Sequence, residues 1–250
     1  MRKAERFKFI MREINLHNKV LSTDLSILMK ISDDTVRRDL KELADAGKIL
    51  KVHGGAVSLS FVAPFNVHNE VYALEEKKKI AEKTLKLLKS NMTILTEGGT
   101  TILELAKMIP DHVKSTIFTI SPQVAITLSD HENLNVISIG GNLYKNANLH
   151  VGSATINQLA DIRADLCLLG ANAFSVDEGL SDVDWEVVQA KKALIRSSKK
   201  VAVLAISEKL NTIQNIRICG IEKIDYLITE LSPDHELLST FRNVESLKLI

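Results

Sequence analysis

In the first 57 residues the apolar positions recur at helical spacing in three short bouts. Phe7, Ile10 and Ile14 mark one face of a helix over residues 3–16, with charges between them. Val20 and Leu21 make a brief apolar step, and Ser22 starts a second helix that runs to about Met29. A third helix follows in DDTVRRDLKELADAG, where Val36, Leu40 and Leu43 fall at i, i+4 and i+7. Ser32 is placed to cap it, Asp33 and Asp34 suit the positive end of its dipole, and Gly47 is placed to stop it. Residues 49–52 and 56–57 then flank His53-Gly54-Gly55, whose paired glycines supply the positive φ of a tight hairpin, or wing.

Residues 58–74 lack periodicity and contain Pro64, so they read as a linker. Beyond them the rhythm changes. Helices are expected at 75–90, 100–109, 122–128, near 154–160, at 184–198 and near 233–241. Strands are expected between them, at 92–96, 116–120, 136–139, 166–169, 201–205 and 226–229. This alternation predicts βαβ units and a mostly parallel sheet, which binds ligands at the carboxyl ends of its strands. The fold class is α/β, with a three-helix unit and wing over 1–57, a linker over 58–74 and a sheet domain over 75–250.

A chain of 250 residues with 45% hydrophobic and 25% charged residues is long enough for two packed cores. Its net charge is only +1, but residues 1–57 hold 12 Lys and Arg against 8 Asp and Glu, and the remainder 20 against 23. A basic small unit joined to a mildly acidic large one suggests nucleic acid at one end. Cys167 and Cys219 belong to no CxxC pair or Cys/His cluster, so free buried thiols are expected and no metal site. The charged opening MRKAERFKFIMREI has no apolar core for a signal peptide, and no run approaches the ~18 apolar residues of a membrane span. A cytoplasmic protein without membrane association is the expectation.

The third helix carries Asp34, Thr35, Arg37, Arg38 and Lys41 away from its apolar stripe, behind Ser32. Arg reads guanine, Thr touches a thymine methyl, and flanking Lys and Arg meet phosphates, so this helix is the candidate DNA reader. Lys51, His53, Gly54 and Gly55 form the candidate wing contacts. The bland alternative is an exposed basic helix that touches no DNA. In the second domain a strand ends in Glu97-Gly98-Gly99-Thr100-Thr101 directly before a helix. Permissive glycines, hydroxyls and a helix amino end suit phosphate, although a plain strand-to-helix turn has the same appearance. Ser121 and Gly140-Gly141 follow other strands in the same way, which makes a shared pocket more plausible.

The run SDDTVRRDLKELADAGKILKVHGGA, with REI at 12–14 upstream, resembles the DeoR-type family of bacterial repressors. The resemblance extends through EGGTT at 97–101, TISPQVA at 119–125, SIGGNL at 138–143, HVGS at 150–153, ADLCLLGANAF at 164–174, GLSDVDWE at 179–186 and SEKL at 207–210. It implies a winged helix-turn-helix and a sensor domain similar in fold to ribose-5-phosphate isomerase and glucosamine-6-phosphate deaminase. It also implies that Gly99, Thr100 and Thr101 hold a phosphate, that Ser121 and Gly141 line a sugar, and that Lys209 offers a cation. Asp182 and Glu186 would accept sugar hydroxyls. The family usually has Asp at the position of Glu97, often Asp at Ile206 and commonly Asn at Ile120, so the effector can differ from those of relatives.

An isomerase or deaminase is the rival reading. The isomerases that the sensor resembles carry an acid where Leu169-Gly170-Ala171-Asn172 places an amide. Asn172 can bond a sugar but cannot serve as a general base. His131 and His150, isolated in polar stretches, read as surface residues. A third reading, a large domain that only oligomerises, predicts no ligand pocket. The sequence thus points to a repressor that binds operator DNA as a homodimer or homotetramer, takes a phosphorylated sugar as effector, and uses no cofactor.

Overall fold

The computed structural model describes residues 1–17, 19–58 and 71–250. It divides into two compact units, Met1–Tyr72 and Ala73–Ile250. Pro64 and most of the expected linker lie outside the described residues; Ser58 ends a strand and Leu74 opens a helix.

The first unit runs α1 (Lys3–His17), β1 (Lys19–Leu21), α2 (Ser22–Met29), α3 (Asp33–Asp45), β2 (Ile49–Val52) and β3 (Gly55–Ser58). Its core joins Ile10 and Ile14 of α1, Leu25 and Met29 of α2, and Val36, Leu40 and Leu43 of α3. Ile10, Ile14, Val36, Leu40 and Leu43 are positions the helical spacing selects, with Phe7 partly buried against them, and each large side chain fully buried stabilises the unit by about 1.5–3 kcal/mol. Lys30, at φ 54°, turns the chain from α2 towards α3, and Ser26 Oγ donates to Ile31 O at 2.6 Å. Arg6 clamps α1 to α3 through two bonds to Asp39, at 2.6 and 3.0 Å. β3 pairs antiparallel with both β1 and β2. A Cβ on Gly55 would lie 1.9 Å from Val20 O, so only glycine lets the wing close onto β1.

The second unit is built on a sheet of seven parallel strands. One half holds α4 (Leu74–Leu85), β4 (Thr93–Thr96), α5 (Thr100–Met108), β5 (Ser115–Thr119), α6 (Pro122–Leu128) and β6 (Leu134–Ser138). A hairpin, β7 (Asn142–Tyr144) and β8 (Leu149–Val151), leads to α7 (Ser153–Ala160). The other half holds β9 (Leu166–Gly170), α8 (Trp185–Arg196), β12 (Val201–Leu204), β14 (Tyr226–Ile228), α9 (Ser239–Arg242) and β15 (Lys248–Leu249). Three short antiparallel strands, β10 (Ala173–Ser175), β11 (Gly179–Asp182) and β13 (Ile216–Cys219), form a satellite sheet. The central strands are apolar on both faces, as Leu166-Cys167-Leu168-Leu169 shows, because helices cover both sides of such a sheet. The strand order β15-β14-β12-β9-β4-β5-β6 runs outward in opposite directions from the β4–β9 pair, and by the general rule for such sheets the binding crevice lies at their carboxyl ends.

Some local expectations shift. The helix expected over 75–90 ends at Leu85, after which Leu87 and Leu88 bond in tight turns to Thr84 and Leu85. The helix expected near 233–241 shortens to a 3-10 turn at Glu236–Leu238 and the four residues of α9. His131 and His150 are structural rather than surface groups. His131 bonds Pro110 O at 3.1 Å, and His150 Nδ1 lies 2.7 Å from Ile139 O. Both cysteines are free, Cys167 buried and Cys219 half-buried.

Candidate functional site

On α3 the exposed residues Asp34, Arg37, Arg38 and Lys41 fall at i, i+3, i+4 and i+7, a single stripe. Ser32 caps the helix, accepting from Thr35 N at 3.3 Å, and shares a 2.8 Å hydroxyl bond with Thr35. Arg37 pairs with Asp33 at 2.7 Å and Arg38 with Asp34. Exposed i,i+4 pairs of this kind hold the side chains by only about 0.3–0.5 kcal/mol, so a DNA phosphate or base edge can displace the carboxylates. Lys51, His53 and Gly54 are exposed at the wing. Gly55 is buried against Val20, so its part is to shape the wing.

In the second unit the crevice between β4 and β9 holds a buried ionic cluster. Glu97, the residue after β4, accepts from Gly170 N at the end of β9 and lies 3.5 Å from Lys191 Nζ of α8. Lys191 also bonds Asp182 at 3.2 Å and Gly170 O at 3.1 Å. Asn172 Nδ2 donates to the other Asp182 oxygen at 3.0 Å, and Val183 N donates to it at 2.8 Å. Lys209, in the turn after β12, donates to Ala171 O at 2.7 Å. Glu97, Asp182, Asn172 and Lys191 are all at most 6% exposed.

Burial dominates the electrostatics. Desolvation lifts the Glu97 carboxyl to about 7, against the pull of Lys191, while the two carboxylates outweigh burial at Lys191 and hold it above its ordinary value. Burial also lowers Lys209 to about 7, and its neighbours Lys77 and Lys191 push it the same way. Lys77, near the start of α4, is lowered to about 8 by burial, against Glu104 and Glu76. Lys191 therefore stands between two carboxylates, one of which, Glu97, is raised by burial to about 7.

The glycine turn lies beside this cluster in the chain. Gly99, at φ 93°, precedes α5 with no side-chain cap and open space where a Cβ would stand. Thr100 and Thr101 are half-buried at the first turn. Gly98 packs so tightly that a Cβ would meet Ser121 Oγ and Leu149 at 2.8 Å. Ser121 stands behind the turn, 1% exposed, and caps α6 by accepting from Val124 N at 3.4 Å. Gly140 O accepts from Thr155 and Gln158, and a Cβ on Gly141 would strike Thr155 Oγ1 at 2.0 Å, so this pair sets how closely the loop approaches α7. Glu186 is half-buried, with its N–H bonded to Asp184 at 3.2 Å; among the described residues no hydrogen bond joins its carboxyl to the cluster.

A model of the DeoR-like helix-turn-helix domain matches residues 6–61, and a model of the DeoR C terminal sensor domain matches 73–231. The chain belongs to the DeoR family. It is 33% identical to the HTH-type transcriptional regulator GolR of Listeria innocua, across 96% of this chain and 95% of that one. It is 28% identical to the glycerol-3-phosphate regulon repressor of Escherichia coli, across 93% of each. Among solved structures, eIF2B delta from Chaetomium thermophilum matches 80% of this chain and 64% of its own, at 15% identity and a TM-score of 0.47. Ribose 5-phosphate isomerase A from Methanocaldococcus jannaschii matches 54% and 53%, at 16% identity and a TM-score of 0.39.

Sequence reasoning on this DeoR-family chain did not select Lys191 or Lys77. A signal existed for both. Lys191 falls four residues after Val187 and three before Leu194, on the apolar face of α8. Lys77 precedes Ile80, Ala81 and Thr84 on the buried face of α4, hidden in the run Lys77-Lys78-Lys79. A lysine in phase with an apolar stripe is a buried charge in need of partners.

Proposed function

We propose that this DeoR-family chain is a transcription repressor of carbohydrate genes whose operator affinity is set by a small phosphorylated sugar. The observation that carries the effector half is the glycine turn at the end of β4, which leads into the uncapped start of α5 directly after the buried Glu97 of the ionic cluster. Helix amides that no side chain caps are ready donors for an anion at the positive end of the dipole. Gly99, Thr100 and Thr101 would take the phosphate, Lys209 would add charge, and Asp182, Asn172 and Glu97 would accept or donate to sugar hydroxyls. The names of the relatives, a glycerol-3-phosphate regulon repressor among them, support both halves.

On the DNA side α3 enters the major groove with Arg37, Arg38 and Lys41, and Lys51 and His53 of the wing meet the backbone. One such unit reads few base pairs, so a homodimer or homotetramer on repeated half-sites is part of the reading, and the cytoplasm is its setting. The effector shifts operator affinity only by the ratio of its affinities for the free and DNA-bound states. Turnover is not part of it: Asn172 is an amide held by Asp182, and Glu97 is engaged by Gly170 and Lys191.

The test is selection of fragmented genomic DNA by the purified chain, repeated with a panel of pentose, hexose and triose monophosphates. Enriched sites with a repeated half-site, lost or gained with one monophosphate, are expected. Absence of enrichment in moderate salt, or isomerisation of a monophosphate at enzyme-like rates, would overturn the reading.

A further inference from the structure

A groove lies at the opposite end of the sheet from the crevice, where Val201 opens β12 and Asp225 directly precedes β14. It encloses about 550 Å³ between the carboxyl end of α8, the end of β13 and the turn at Ile221–Lys223. Ile195, Val201 and Ile218 give it an apolar lining. Four cations also line it, Lys192, Arg196, Lys199 and Lys223, against the carboxylates of Glu222 and Asp225. Asp225 is engaged by Lys200 at 2.6 Å and by Val201 N at 2.8 Å, and Lys199 by Asp165 at 2.8 Å. Among the described residues, Lys192, Arg196 and Lys223 pair with no carboxylate. Glu222 is folded against Gly220, where a Cβ would stand 2.1 Å from its Oε2. Three unpaired cations therefore share the groove with one carboxylate. The carboxyl end of a helix ordinarily disfavours an anion, but its carbonyls are covered here. Ala193 O and Ile195 O accept from Ser197 N and Ser198 N, and Leu194 O accepts from Ser198 Oγ at 2.9 Å.

We propose that this groove is a second ligand site, for a small organic anion that carries at least two negative charges on an apolar or ring-shaped body. Its volume falls within the range of small-molecule sites, about 300–1,000 Å³. Lys192 and Arg196 are four residues apart on one face of α8, and Lys223 comes from a separate turn. Charges at two points of a ligand are thus met while its body rests on Ile195 and Ile218. A cleft lined by an excess of one sign also concentrates counter-ions. No residue of the groove belongs to the crevice, so the inference stands apart from the effector reading. The two sites nevertheless share a helix: α8 carries Lys191 into the cluster with Glu97 and Asp182, and Lys192 into the groove.

The experiment uses the full chain and four proteins: wild type, Arg196→Ala, Lys223→Glu and Lys209→Met. Citrate, pyrophosphate and adenosine diphosphate are titrated calorimetrically in about 0.15 M salt, which screens loose surface attraction beyond about 8 Å. Urea unfolding is measured on each protein without ligand, and the two exposed substitutions in the groove are expected to leave its midpoint unchanged. Citrate or adenosine diphosphate is expected to bind wild type at one site per chain. Loss of one charge-assisted bond corresponds to about tenfold to a hundredfold in affinity, so Arg196→Ala should weaken binding by at least about tenfold and Lys223→Glu by more. Lys209→Met, which alters the crevice, should stay within about twofold of wild type. Binding of no probe more tightly than about 1 mM overturns the site. Binding that both groove variants leave within about twofold of wild type lies elsewhere on the chain and overturns it as well. Binding lost in Lys209→Met and kept in the groove variants belongs to the crevice, which overturns the second site and leaves the effector reading standing. Pyrophosphate binding as tightly as the two organic probes overturns the part given to the apolar lining.

Discussion

Replacing Glu97 by glutamine should change how the stability of the sensor unit depends on pH. The carboxyl is 3% exposed, and burial raises it from 4.5 to about 7 although Lys191 lies 3.5 Å away. At 1.36 kcal/mol per pH unit, that displacement amounts to about 3 kcal/mol. Because the value in the folded chain is the higher one, the folded state binds the proton more tightly than the unfolded state. The associated stability is fully present below 4.5 and is lost as pH rises through 7. Glutamine does not titrate, and its oxygen can still accept from Gly170 N. Urea unfolding of wild type and Glu97→Gln at pH 5, 6, 7 and 8 isolates the group and the neighbours coupled to it, since titrations elsewhere in the chain cancel in the difference. Circular dichroism and the fluorescence of Trp185, the only tryptophan and a residue of the second unit, follow the transition. Relative to the variant, wild type should lose about 3 kcal/mol between the acid and alkaline ends. A difference flat to about 0.5 kcal/mol across that range would refute the argument that burial outweighs Lys191.

Lys191→Met should cost the sensor unit about 3–5 kcal/mol in chemical unfolding at pH 8, because it leaves Glu97 and Asp182 buried without their cation; the deficit should shrink towards pH 5 as Glu97 takes up a proton. Asp39→Ala should lower the thermal transition of the first unit by removing the carboxylate that holds Arg6, and Arg6→Ala combined with it should add little. Lys41→Ala should alter stability by less than about 0.5 kcal/mol. Its affinity for a selected operator fragment should fall about equally across sequences, and the salt slope should decline by about 1.

The fold was readable wherever burial has one period. Ile10, Ile14, Val36, Leu40 and Leu43 repeat at helical spacing and occupy the core of the first unit. The doubly covered strands appear as apolar runs, as at residues 166–169. The satellite strands β10, β11 and β13 were not readable, since three or four residues such as Gly179-Leu180-Ser181-Asp182 carry neither alternation nor an apolar run. The crevice was half legible. Its glycine turn announces itself by composition, but the partners of Glu97 arrive from β9, β11 and α8, some 70 to 95 residues away along the chain, and only the strand order brings them together. Asp39 shows the opposite difficulty. It lies within TVRRDL beside two exposed arginines, yet it faces inward to Arg6 and belongs to the packing of α1 on α3.

The pairing of β4 with β9 also sets a timetable for the growing chain. In the first unit the longest strand pairing, Lys19 with Val57, is available once 58 residues have been made. In the second, β4 ends at Thr96 but its inner neighbour is complete only at Gly170. At typical rates of synthesis the interval between those points lasts on the order of ten seconds. Throughout it, a nascent chain carries a finished helix-turn-helix and a sheet without its central pair. The crevice where Glu97 meets Gly170 and Lys191 therefore comes into being only after the unit it would govern is complete.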